Sequence, residues 1–260
     1  MADLTSDFSG RSGAALIVGG SGGLGLPIAR MLASRGSHVA VTYRSRPDAG
    51  EAAAASAREW GVQAAAYELD LTSSSQVASV VAAATADFGG LHTLVYAAGP
   101  HVPMRHLSEV APEAMAEQLA ADAAGFFAVV HAALPRLREA QGSIVAVTTA
   151  ATSRFPVRDG LSSAPKAAVE ALVRGLAVEE GRFGVRVNAV GPGMLTDGMA
   201  ARLIASGDLS DEALAITRRN IPLRRFGTAH DIAEAVCFLA SDRAGFISGQ
   251  KLDVDGGYGV

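Results

Sequence analysis

Gly19-Gly20-Ser21-Gly22-Gly23-Leu24-Gly25 is the stretch whose reading decides the fold. It follows the apolar run Ala14–Val18, which lacks polar alternation and so reads as a strand buried on both faces. After it, Leu24, Ile28, Met31 and Leu32 recur at helical spacing, and Pro27 falls in the first helical turn, where a missing N–H costs little. Strand, glycine turn and helix in this order suit an anionic phosphate. Glycine permits the tight turn and a close backbone approach, while the helix start offers unpaired N–H groups and a positive dipole end. The spacing is Gly-x3-Gly-x-Gly, at positions 19, 23 and 25. Plain strand-to-helix turns also use glycine, so the rest of the chain must carry the reading.

The 260 residues are enough for one large α/β domain, and no linker, repeat or charge block divides them, so 1–260 reads as a single domain. Apolar residues make up 49% of the chain, with abundant alanine and glycine, which suits helices packed closely on a sheet. A net charge of −4 without a basic block argues against a nucleic-acid partner. The single cysteine, Cys237, excludes an internal disulfide framework and fits a reducing compartment. No apolar run reaches the roughly 18 residues that span a bilayer, so no membrane partner is expected. Met1–Gly10 carries Asp3 and Asp7 and no apolar run, which predicts no signal peptide. The expectation is a soluble, cytoplasmic protein with no metal site.

Along the chain, further strands read at Val39–Tyr43, Val62–Leu69, Leu91–Ala98, Ser143–Thr149, Val185–Val190 and Gln250–Val254. Helices read at Glu51–Trp60, from a cap at Thr72 or Ser73 to Phe88, at Pro112 to Arg138, at Leu161–Gly181 and at Asp231–Ala240. Met194–Arg219 departs from the alternation and reads as a helical flap. Seven strands alternating with helices predict a Rossmann-type, doubly wound parallel sheet whose ligand sits beyond the strand C-termini.

With these pieces in order, the chain resembles the short-chain dehydrogenase/reductase superfamily along essentially its whole length, nearest to the 3-oxoacyl reductases. The resemblance rests on Gly19-x3-Gly23-x-Gly25, Asp70-Leu71-Thr72, Ala97-Ala98-Gly99, Lys166 in the helix after the fifth strand, Arg186–Gly193, Ile221–Gly227 and Asp253–Gly257. It implies a nicotinamide cofactor held by Gly19, Ser21, Gly22, Gly23, Leu24 and Gly25, by Asp70 and Leu71 at the adenine, and by Ala97, Ala98 and Gly99. Lys166, Pro192, Gly193 and Thr196 follow at the nicotinamide end. In the family an acidic residue ending the second strand selects NAD, whereas a basic one favours NADP. Here the strand ends Thr42-Tyr43-Arg44, with Arg46 nearby and no carboxylate, which favours NADP because a guanidinium can pair with two phosphate oxygens.

The family's usual Asn, Ser, Tyr and Lys are largely replaced. Lys166 is kept, Ser162 stands four residues before it where the tyrosine is usual, Thr149 takes the serine position, and Asp122 takes the asparagine position. A serine hydroxyl is a far weaker acid than a tyrosine of pKa about 10, and it is a ring shorter. The dienoyl-CoA reductases of the superfamily also carry serine there and use another tyrosine further back, but that position is Ala151 here. Substitute donors are, in order, His101 and Tyr96, then Asp159; each also reads as an ordinary loop or packing residue.

Three functions follow. One is an NADP(H)-dependent reductase of an enone, imine or activated carbonyl, in which hydride transfer dominates. Another is an ordinary carbonyl reductase with a relocated donor. The third is a cofactor-binding protein without redox turnover, catalysing cyclisation, dehydration or isomerisation, or serving as an inactive partner subunit. The apolar Met194, Leu195, Met199 and Leu203 suggest an apolar ligand under the flap. The resemblance implies a homotetramer, with a dimer next, and the small residues Ala168, Ala171 and Gly175 would allow close helix contact.

Overall fold

The computed structural model describes residues 6–99, 102–197 and 211–260. Its centre is one seven-stranded sheet in the order β3-β2-β1-β4-β5-β6-β7, with every pairing parallel. The strands are β1 Ala14–Val18, β2 His38–Tyr43, β3 Ala64–Glu68, β4 Leu91–Tyr96, β5 Ser143–Val147, β6 Arg186–Pro192 and β7 Lys251–Val254. Helices follow as α1 Gly25–Ser34, α2 Pro47–Arg58, α3 Ser74–Phe88, α4 Pro112–Leu119, α5 Gly125–Glu139, α6 Gly160–Glu180, α7 Asp211–Asn220 and α8 Ala229–Ala240. The order reverses between β1 and β4, which places a crevice at the C-terminal ends of those strands.

All five residues of β1 are buried, as a strand covered on both faces requires. Ala15 and Ile17 point into the layer formed with α1, α2 and α8, whereas Ala14, Leu16 and Val18 point into the layer formed with α3, α5 and α6. Helix ends are set locally. Ser73, not Thr72, caps α3 by accepting from Gln76 N–H, and Gly89 ends that helix at a φ of 72°. Thr228 and Asp231 close a capping box on α8, so that helix starts two residues before the expected Asp231.

The long helix read from Pro112 to Arg138 is not one regular helix. α4 and α5 are separated by a π-helical turn, Ala120–Ala124, in which the extra residue per turn swings Asp122 inward. Gly125 directly after it lets the helix approach: a Cβ there would stand 3.1 Å from Leu71 Cβ and 3.6 Å from the Tyr96 hydroxyl. Pro112–Glu139 is also long and apolar enough, at 28 residues and mean hydropathy 1.2, to cross a membrane by length and composition. Here Phe126, Val129, Val130, Ala133 and Leu137 are buried against the sheet with α3 and α6.

The flap is only partly regular. Met194–Asp197 is non-helical, with Leu195 bridged to Gly227, and α7 supplies its second half; Met199 and Leu203 lie outside the described residues.

Candidate active site

The glycine turn closes by main-chain contacts that exclude side chains. Gly19, at φ +79°, would place a Cβ 2.9 Å from the backbone of Ala98, and Gly25 would place one 2.1 Å from the carbonyl oxygen of Gly19. Gly22 N–H donates to Gly19, Leu26 N–H to Gly22, and Gly19 N–H to Thr42 Oγ1. No side chain caps α1 at Leu24, so the helix start keeps its dipole for an anion, which fits a dinucleotide phosphate. Ser21 and Gly23 lie in the same turn.

At the β2 end, Arg44 and Arg46 are exposed. Asp70 Oδ1 accepts from the N–H and the hydroxyl of Thr72, at 2.9 and 2.7 Å. Those two bonds, with a smaller contribution from the Arg44 charge, hold the Asp70 carboxyl below the usual range. Arg44 is thus close enough for its charge to act on the Asp70 carboxylate, which Leu71 directly follows. Ala97 N–H donates to Val18, which carries β4 across to the glycine turn.

Beyond the ends of β4, β5 and β6 lies a cavity of about 390 Å³. Its wall takes Leu24 from the glycine turn, Gly99 after β4, Thr148 and Thr149 after β5, Pro192 at the end of β6 and Gly193 after it. α6 contributes Ser162 and Lys166, and the π turn contributes Asp122. The topology thus brings Asp122, Thr149, Ser162 and Lys166 to one site. Lys166 Nζ donates to Asp122 Oδ1 at 3.0 Å and to the carbonyl of Ala98 at 3.1 Å, and lies 5.4 Å from the centre of the Tyr96 ring. Asp122 is 3% and Lys166 9% exposed, so this is a buried ion pair. Thr149 Oγ1 accepts from Ala151 N–H at 3.1 Å, which leaves its own proton to donate.

One candidate donor, Tyr96, faces the packed helix and not the cavity. Tyr96 is fully buried, stacks edge-on against Phe126 at 5.2 Å, and gives its hydroxyl to the main-chain oxygen of Asp122 at 3.0 Å. Burial and the neighbouring Asp122 carboxylate push the Tyr96 pKa well up. Its ring supports Lys166 and is absent from the cavity wall, because β4 turns it toward α5; it presents no proton to a substrate. Tyr96→Phe is therefore expected to lower stability by about 1 kcal/mol, through a buried carbonyl losing its partner, with turnover within about twofold of the parent. Urea denaturation beside a rate assay checks this, and a collapse of turnover without loss of stability would restore Tyr96 as the donor. His101 lies outside the described residues. Thr196 is exposed and bonded to the Gly227 carbonyl through both its N–H and its hydroxyl, off the cavity wall.

Asp159, ranked last from sequence, lines the cavity. It occupies the N-cap position of α6, yet its carboxylate caps no N–H of that helix. Burial against the apolar wall raises its pKa to about 6. Tyr258, Asp197 and Gln118 also line the cavity, and sequence reading passed over all three. Only Tyr258 had a usable signal, as the side chain directly after Asp253–Gly257. Asp197 is already engaged, accepting from Ala229 N–H at the start of α8.

Among families, the one described as enoyl-(acyl carrier protein) reductase matches residues 18–259. The chain is 33% identical over 247 residues to the 3-oxoacyl-(acyl-carrier-protein) reductase FabG of Staphylococcus epidermidis, covering 94% of this chain and 97% of that one. A short-chain type dehydrogenase/reductase from Mycobacterium ulcerans superposes with a TM-score of 0.90 at 29% identity, over 97% of this chain and 91% of that one. A short chain dehydrogenase from Burkholderia cenocepacia, solved in complex with NADP, superposes with a TM-score of 0.87 at 28% identity, over 99% of this chain and all of that one.

Proposed function

The chain belongs to the short-chain dehydrogenase/reductase superfamily and is an NAD(P)H-dependent oxidoreductase, and from that premise we propose that it uses NADP(H) to reduce an enone, imine or activated carbonyl of an apolar or acyl-type small molecule, with a non-standard proton source. One observation carries the reading: a dinucleotide frame built around the glycine turn meets a cavity that keeps Lys166 but has Ser162 where the family's tyrosine is usual. When bound, the nicotinamide supplies the hydride. Lys166, fixed by Asp122 and Ala98, holds the ribose side of the site, and Thr149 donates a hydrogen bond to the substrate. Ser162, on the helical face of Lys166, positions the substrate but is too weak an acid to replace tyrosine.

The preference for NADP is supported by the exposed Arg44 and Arg46, by the absence of a carboxylate at the end of β2, and by the NADP-bound relative. A homotetramer, or failing that a dimer, is supported by apolar residues on outer helix faces, with Phe127 on α5 50% exposed and Val178 on α6 84% exposed beside Ala171 and Gly175. We take residues 1–260 as one soluble domain working in the cytoplasm.

A second reading, a carbonyl reductase with a relocated donor, is favoured by Tyr258, a phenol on the cavity wall whose ring lies 4.5 Å from the Arg154 guanidinium. The test is NADPH oxidation with a panel of ketones, enones and cyclic imines. Turnover on at least one class is expected, and tight NADPH binding with no oxidation on any would establish the non-redox alternative instead. In the same assay, Arg44→Ala with Arg46→Ala is expected to raise KM for NADPH by about tenfold and to leave NADH unchanged. Equal effects on both cofactors would remove the phosphate assignment.

A further inference from the structure

The cavity has an unusual charge balance for a site that reduces carbonyls. Among the described residues its wall carries three carboxylates, Asp122, Asp159 and Asp197, against one ammonium, Lys166. The Lys166 charge is already matched by Asp122 at 3.0 Å, and the Asp197 carboxylate is held at the start of α8. Of the three carboxylates, that of Asp159 alone has no hydrogen-bond or ionic partner among the described residues, its main-chain oxygen accepting from Ser162 and Ser163. The neighbouring Arg158 side chain is exposed, and burial raises the Asp159 pKa to about 6. Ser162 and Lys166, four residues apart, share one face of α6, and Asp159 directly before that helix lines the same cavity.

A carbonyl oxygen gains negative charge as hydride arrives, and it needs donors or positive charge around it. A carboxylate on the wall of this cavity, where the charge of the lysine is already matched, opposes that development. A protonated C=N group has the opposite demand, because it enters positively charged and loses that charge in the reaction. We propose that the substrate is an apolar cyclic imine, bound as its iminium with the N–H donating to Asp159. This rests on the reductase reading given above.

The step balances without a tyrosine. The iminium carbon accepts the hydride with its electron pair, the π pair of the C=N bond falls onto nitrogen as a lone pair, and a neutral amine results. No proton is transferred in the bond-forming step, because the nitrogen arrives already protonated. The proton it carries comes from solvent through the equilibrium that Asp159 biases toward the charged form. The apolar wall contributed by Val102, Met104, Leu161, Met194, Leu195 and Ile221 suits the hydrocarbon part.

The test compares two bicyclic probes of matched shape, dihydroisoquinoline as the imine and tetralone as the ketone, in NADPH oxidation. The expected kcat/KM ratio favours the imine by at least about tenfold. Asp159→Asn, which keeps a good N-cap residue, should collapse that ratio, and Asp159→Glu should restore much of it. Binding of the product amine tetrahydroisoquinoline, measured calorimetrically, should weaken at least about tenfold in Asp159→Asn. A tetralone rate equal to or above the imine rate overturns the inference and leaves the reductase reading standing, and its loss in Tyr258→Phe would then identify the relocated donor. An unchanged ratio and amine affinity in Asp159→Asn also overturn it. NADPH oxidation with neither of these probes nor with cyclohexenone removes the reductase reading, and the inference falls with it.

Discussion

Replacing Lys166 with methionine is expected to reduce turnover by at least about a hundredfold and to lower stability by about 3 kcal/mol. Both losses come from the same pair. Lys166 and Asp122 are buried and 3.0 Å apart, so removing the ammonium strands a carboxylate in a poorly solvated place. The low end of the range for a broken buried pair applies because the adjoining cavity admits water. The double variant Lys166→Met with Asp122→Asn separates the two losses. It removes the stranded charge, so its urea midpoint should recover most of the way to the parent while NADPH oxidation stays low. If the double variant regains turnover along with stability, Lys166 serves the fold alone. If the single variant is as stable as the parent, the ion pair has no structural weight.

Gly25→Ala is expected to weaken NADPH binding by more than about tenfold and to cost about 1–3 kcal/mol of stability. The residue begins α1, and its backbone conformation admits alanine; the obstacle is space. A methyl would stand 2.1 Å from the Gly19 carbonyl and 2.7 Å from the Gly20 Cα, both main chain, so α1 must move away from the turn that it completes. A phosphate held by that turn and the helix start loses its fit when they separate. Gly61→Ala is the matched control. Its φ of +78° also disfavours alanine, but nothing lies within 4 Å of the added methyl. It should cost about 1 kcal/mol of conformational strain and leave cofactor affinity alone. Fluorescence titration with NADPH, beside denaturation of each variant, reads both effects. Equal affinities for the two variants would detach Gly25 from the binding turn.

The elements that were legible in the sequence are those whose cause is local. Ala14–Val18, the glycine turn and the helix after it stand consecutively, and each follows from residues within one turn or one strand of it. The π turn at Ala120–Ala124 was not legible, since Pro112–Glu139 has an almost uninterrupted helical composition; what shows it is the packing of Gly125 against Leu71 and Tyr96. The side to which Tyr96 turns was left open for a related reason. In a parallel strand covered on both faces every side chain is buried, so alternation alone does not say which layer a given residue enters. The partner strand settles it: Tyr96 stands opposite Val18 in register and shares its layer, away from the cavity.

Asp159 marks the same boundary from the other side. Its place just before a helix predicts a cap, a role that needs only the three residues after it. The structure leaves the carboxylate uncapped, in a cavity whose wall is assembled from Val102, Met104, Leu161, Leu195 and Ile221, residues spread over more than a hundred positions of chain. By itself, the sequence determined the alternating α/β architecture and the glycine turn between Val18 and Gly25, and it set Ser162 four residues before Lys166, because short-range geometry and residue identity are written in order along the chain. The tertiary structure decided which charges face one another, pairing Asp122 with Lys166 and leaving the Asp159 carboxylate unpaired among the described residues. Electrostatic balance in a cavity depends on distances between residues that only folding brings together.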